Sequence, residues 1–186
     1  MEWIILIVSF LGGGVVSAVI TQYWNLLNEN EKEKRKYIEK QLQSLYGPLC
    51  HYIFQSEVLF GLNDKLQEAH KAVFSSYNNP SEGVIKEATD TINLANEYIN
   101  IVRVNNKNMI DILDKNYSYI DPDDIDIFKL FYEHYIRMEK EFTDKGMMKA
   151  PWQIYKEIGN VSHLRPEVIK RVKEKFMSKK EKIVTK

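Results

Sequence analysis

No disulfide can form within this chain, because Cys50 is its one cysteine. That suits a reducing compartment. No 20–50-residue repeat recurs, so a solenoid or propeller is excluded. No segment alternates apolar and polar residues as a half-buried strand would, and glycine and proline, 8 and 5 in number, fall mainly at junctions. Catalytic signatures are missing too. There is no HExxH or ExxH pair, no phosphate-cradling glycine loop with a Walker lysine, and no GxSxG. None of the four histidines has an arginine four to six residues before it, which counts against a helical ribonuclease domain. Net charge is also absent, at 26 bases against 26 acids, but the balance is local rather than even. Residues 57–145 hold 17 acids and 10 bases, and residues 165–186 hold 9 bases and 3 acids. The middle is acidic and the tail is basic.

What the chain does have begins with "WIILIVSFLGGGVVSAVITQYW", residues 3–24, without one charge. As a helix this run measures about 33 Å, roughly one bilayer hydrocarbon core. Trp3 at one end and Tyr23 and Trp24 at the other suit the two interfaces of a spanning helix. A secretion signal would want a basic start and an end at its small residues. Here only Met1 and Glu2 precede the run, and it continues past Val16-Ser17-Ala18 into Val19 and Ile20. The expectation is an uncleaved anchor. Lys32, Lys34, Arg35 and Lys36 follow it, so the positive-inside rule places the N-terminus outside and the body in the cytoplasm of a plasma (inner) membrane. Ser9 and Gly13, Gly13 and Ser17, and Gly14 and Ala18 are small-xxx-small pairs. With Gly12 they make Gly12, Gly13, Gly14, Ser17 and Ala18 a surface that permits close helix approach, either for self-association or as a tolerated patch in a lone anchor.

Beyond the anchor the pattern is helical. Ile38, Leu42, Leu45 and Leu49 recur at helical spacing across Gly47-Pro48, where a kink or restart is expected. A second helix over 48–76 ends at the turn cluster "SSYNNPSEG". A third starts near Ser81. Its a positions are Ile85, Ile92, Ile99, Asn106 and Leu113, and its d positions are Ala88, Ala95, Val102 and Met109. Asn106, the one polar a residue, is of the kind that fixes register at some cost in stability. A fourth helix opens at Asp121 as N-cap, with Pro122 at N1 and acids in the first turn. A short helix in "PWQIYKEIGN" and a basic last helix with Val168, Val172 and Phe176 on one side complete the chain. The eleven tyrosines are expected to edge the core with their hydroxyls in water. The predicted architecture is all-α: a transmembrane anchor (1–27), a juxtamembrane helix (28–47), an antiparallel helical bundle (48–164) and a basic C-terminal helix or tail (165–186).

Candidate chemistry is sparse. His51, His70, His134 and His163 could make a metal site only by long-range convergence, and Glu133 beside His134 points about 100° away on a helix. An EF-hand loop from Asp121 would need glycine at 126 and glutamate at 132, where the chain has Asp126 and Tyr132. Cys50 reads as a small core residue rather than a nucleophile. No catalytic, cofactor-binding or metal-ligating residue is assigned. For the tail, Lys170, Arg171, Lys173, Lys175, Lys179 and Lys180 admit three readings: a helix touching the acidic middle, a contact with anionic lipid, or nucleic-acid binding, the last poorly supported with Phe176 the tail's one aromatic. Met147, Met148 and Trp152 form either a partner surface or a cap over one end of the bundle.

The stretch "RKYIEKQLQSLYGPLCHYIF" resembles a motif, a charged helix running into Leu-Tyr-x-Pro-Leu-Tyr, of small bacterial membrane-anchored proteins. Leu45, Tyr46, Pro48 and Leu49 match, and Cys50 stands in place of the second aromatic. The likeness covers about residues 1–60. It implies an N-terminal span leading into a cytoplasmic helical body, and some such proteins lie in phage-defence settings. It transfers no catalytic residue. The functional expectation is a membrane-tethered interaction or effector module, with membrane lipid and either further copies or a protein partner as its contacts. The alternative is a tethered bundle that senses a ligand or catalyses a reaction, with Asn106, Glu133 and His134 converging on one cavity.

Overall fold

The computed structural model describes residues 2–75, 81–145 and 164–184, without the side chains of residues 2–16, 67, 69–75, 88 and 141–145. Every element among them is helical, and the all-α expectation holds. Helix α1 (Glu2–Gln41) passes into a π-helical turn (Leu42–Tyr46) and then α2 (Gly47–Ser75). Helix α3 (Glu82–Lys115) leads through two 3-10 turns, Tyr117–Tyr119 and Pro122–Asp124, into α4 (Ile125–Lys145), and α5 (Pro166–Val184) closes the described chain.

Helix α1 has zones dictated by composition. Residues 3–24 carry no charge, residues 28–36 are polar on all faces, and from Ile38 the helix turns amphipathic and joins the bundle. Every described side chain from Ser17 to Tyr37 is exposed, Val19, Ile20, Tyr23, Trp24 and Leu26 included. This 21-residue stretch, about 30 Å at helical rise, is covered by nothing in the body. Among the described residues no helix is long and apolar enough to cross a membrane. Most of the apolar run precedes Ser17 and lies outside the described side chains.

The core joins α2, α3, α4 and α5 around Leu45, Leu49, Ile53, Met109, Leu113, Phe128, Phe131, Val168 and Val172, all nearly or fully buried. Full burial of such a side chain stabilises by roughly 1.5–3 kcal/mol. The α3 seam is buried at Ala95, Ile99, Val102, Asn106, Met109 and Leu113, while Ile85 at its start is half exposed. A bidentate ion pair, Arg103 to Glu139 at 2.6 and 2.7 Å, ties α3 to α4 beside it.

At Gly47-Pro48, where a kink or a restart is expected, the chain makes a π turn and continues as helix. The Gly47 N–H donates to the Leu42 carbonyl, five residues back, and a Cβ on Gly47 would sit 2.5 Å from that oxygen. Only glycine closes this turn unstrained. Pro48 has no N–H to offer the next rung. The short helix expected in 151–160 lies outside the described residues.

Candidate functional site

The densest polar cluster lies where the π turn, the Asp121–Asp124 turn and α5 meet. Asp124 is fully buried and accepts from the Tyr46 hydroxyl at 2.6 Å and from Arg171 Nε at 2.5 Å, with Lys175 Nζ at 3.7 Å. Asp121 takes Lys175 at 2.8 Å, Lys179 at 3.0 Å and the Gln41 amide at 2.8 Å. Gln41 also donates to the Tyr119 carbonyl at 2.8 Å and accepts from Lys179 at 2.5 Å. Lys179, itself buried, stands 5.1 Å from the centroid of the Tyr46 ring. Three bases thus meet two acids in a nearly closed site. Such charges are retained inside a protein only when paired and hydrogen-bonded, as these are.

The local sequence explains the convergence. Pro122 starts a 3-10 turn whose tightness sets Asp121 and Asp124 on one side, with the Asp124 N–H bonded to the Asp121 carbonyl at 2.9 Å. Arg171, Lys175 and Lys179 are spaced four apart and line one face of α5. Desolvation raises the Asp121 carboxyl, but the hydrogen bonds from Lys175, Lys179 and Gln41 and the Lys179 charge outweigh it and hold it at about 2. Burial pushes the Tyr46 hydroxyl well above its ordinary range, and the hydrogen bond to Asp124 adds to this. Both effects favour Asp121 as an anion and Tyr46 as a neutral donor.

Two expectations change here. Asp121 does stand at the N-cap, but its side chain makes no capping bond, since the lysines and Gln41 claim it. Tyr46 does not edge the core with its hydroxyl in water. It is fully buried and anchors Asp124. Gln41 and Tyr46 carry no motif that marks a site residue, and by spacing Asp121 and Asp124 read as helix-capping acids. The polar Gln41, one helical turn before the buried Leu45, was the available signal.

The tail bases divide. Arg171, Lys175 and Lys179 join this cluster, and Lys173 pairs with Glu57 of α2 at 2.7 Å. Lys170 and Lys180 are exposed, Lys170 lying 3.9 Å from Glu174 on its own helix. Gly12, Gly13 and Gly14 fall within the α1 backbone, whose side-chain surroundings begin to be described only at Ser17; Ser17 and Ala18 are exposed. Met147, Met148, Trp152 and His163 lie outside the described residues, as does the side chain of His70.

The alternative site does not assemble as written. Asn106 and His134 are buried, but Glu133 is exposed and faces Arg165 at 4.0 Å. Asn106 Nδ2 contacts the Met138 sulfur at 3.2 Å, and its Oδ1 has no hydrogen-bond partner among the described residues. Asn105 beside it reaches Ser56 of α2 at 3.5 Å. Cys50 is half-buried, with its thiol raised by desolvation, lowered in part by Lys173 and raised further by Glu57. Among the described residues no group of three His, Cys, Asp or Glu is placed to hold a metal ion. A half-open cleft of about 280 Å³ between α2 and α5, lined by Ile53, Ser56, Phe60, Leu164 and Ile169, is smaller than the usual small-molecule site. The arrangement fastens helices together. No family model, curated protein or solved structure matches the chain.

Proposed function

We propose that the chain is a single-pass membrane protein, N-terminus outside, whose cytoplasmic helical body acts as an interaction or effector module. One observation carries this reading. The uncharged run opens a helix that continues unbroken to Gln41, and its described uncharged part from Ser17 to Leu27 is exposed on every face. A helix apolar all round needs lipid or a partner to cover it. The charged stretch 28–36 then works as a stiff spacer, and the acidic part of the body is held off the anionic leaflet. The small residues Gly12, Gly13, Gly14, Ser17 and Ala18 are the proposed contact between copies. A role in phage defence rests on the motif resemblance alone.

The test is alkaline extraction of membranes, with protease access to an N-terminal tag in sealed vesicles, beside a chain starting at residue 28. The full chain is expected to stay with the membrane and expose its tag outside, and the shortened chain to be released. Release of the full chain would remove the anchor. Retention without an oligomer in detergent, unchanged by Gly13→Leu, would remove the self-association but leave the tether.

A second reading has one observation in its favour. The buried polar side chains Ser56, Asn105, Asn106 and His134, with the unmatched Asn106 carbonyl, are what a ligand-sensing bundle would place inside. It predicts a ligand-dependent rise in melting temperature that Asn106→Leu abolishes.

A further inference from the structure

Gln41 and Tyr46 are five residues apart, yet both reach the same Asp121–Asp124 turn: Gln41 to Asp121 and Tyr46 to Asp124. In a regular α-helix five residues leave two side chains about 140° apart. They share a face here because the Leu42–Tyr46 turn is wide and holds one extra residue. The π turn and the ion cluster therefore depend on each other. With every residue between them in regular α geometry, Gln41 and Tyr46 could not both reach the Asp121–Asp124 turn. The cluster opposes tightening of the π turn, and so does Pro48, whose ring would crowd the Ser44 carbonyl in α geometry.

We propose that the π turn is a rotary switch, in which docking of α5 through Lys175 and Lys179 sets the angle of α1 about its own axis. When that docking is lost, the turn tightens to α geometry and α1 rotates by about 100°, the angle of one residue. Each α1 side chain is then replaced in space by the next along the chain. Leu42 moves into the place of Gln41, which the docked state opposes because it sets an apolar side chain against Asp121 and Lys179. Ile38 moves into the place of Tyr37. Tyr37 marks the docked angle: its hydroxyl donates to the Ser118 carbonyl at 3.2 Å, and its ring lies 5.6 Å from that of Tyr119. The consequence is directional. Whatever draws α5 off the body changes which face α1 presents beyond Gln41, at residues up to 30 Å away. This does not rest on α1 being an anchor.

The experiment uses the full chain in mild detergent, with Cys50→Ser throughout. Ser118→Cys is combined with either Tyr37→Cys or Ile38→Cys, and a short bifunctional maleimide scores the two pairs. With α5 docked, the 37–118 pair is expected to cross-link several-fold more than 38–118. Adding Lys175→Gln and Lys179→Gln is expected to reverse that preference while helicity by circular dichroism persists. A chain lacking Gln43 has no extra residue to absorb, so it should prefer 37–118 with or without the lysine substitutions. An unchanged preference for 37–118 in the lysine variant would make the π turn a fixed bulge and overturn the proposal. Loss of both cross-links together with helicity would overturn it as well, because a switch requires the body to survive the change.

Discussion

The bond between Tyr46 and Asp124 is the sharpest place to test the energetic reasoning. Asp124 is fully buried and shared by Tyr46, Arg171 and, more distantly, Lys175. Tyr46→Phe keeps the ring against Phe128 and under Lys179 and removes only the hydroxyl. A hydrogen bond to a charged group contributes roughly 1.5–3 kcal/mol net, and Asp124 keeps its two bases, so a cost of about 1.5 kcal/mol is expected. Asp124→Asn removes the carboxylate that Arg171 pairs with, leaving Asp123 and Glu174 as more distant counter-charges. Breaking a buried pair costs roughly 3–5 kcal/mol, and Arg171 is itself 32% exposed, so the lower end, about 3 kcal/mol, applies. Asn can still accept weakly from Tyr46, so the double variant is expected to cost about 1 kcal/mol less than the two singles together. The assay is urea unfolding of the full chain in mild detergent, followed at 222 nm, for all four members of the cycle. Additivity to within about 0.5 kcal/mol would refute the claim that these side chains form one unit. So would a Tyr46→Phe variant as stable as the parent.

Three further outcomes follow from the same structure. Asp121 is held at about 2, below its ordinary 3.8, so its contribution to stability is complete above about pH 4 and is lost as pH falls toward 2; in the Asp121→Asn variant this part of the acid titration should vanish. Gly47→Ala should destabilise by about 1–3 kcal/mol through its clash with the Leu42 carbonyl, whereas Gly61→Ala in α2, where a Cβ meets nothing within 4 Å, should be neutral or stabilising by up to about 1 kcal/mol; paired thermal melts read both. Asn106→Leu should be neutral or stabilising by up to about 1 kcal/mol, because an unmatched buried carbonyl is exchanged for an apolar side chain of similar size, and a loss above about 2 kcal/mol would show that the asparagine is better satisfied than its contacts indicate.

The charged half of the site was only partly legible in the sequence. Arg171, Lys175 and Lys179 stand out by their spacing, and a basic tail against an acidic middle suggests contact between them. Spacing also presents Asp121 as a helix cap, and it does hold the N-cap position without making the capping bond. Nothing within a few residues says that its carboxylate turns instead toward lysines more than fifty positions away. Tyr46 reads like any tyrosine at the edge of an amphipathic helix until Asp124 is seen beneath its hydroxyl.

By itself the sequence determined the elements: helices from 3.6-residue periodicity, their breaks from glycine and proline, the seam of α3 from its heptads, and the uncharged run from composition. These are local properties, set by each residue's own backbone preference and by neighbours within one or two turns. The tertiary structure alone decided how Gly47-Pro48 is used. A glycine-proline pair permits a kink, a restart or a wide turn at similar local cost. The π turn prevails because it lets Gln41 and Tyr46 face one pair of aspartates, and those aspartates are held by bases on α5, 47 to 58 residues further along the chain.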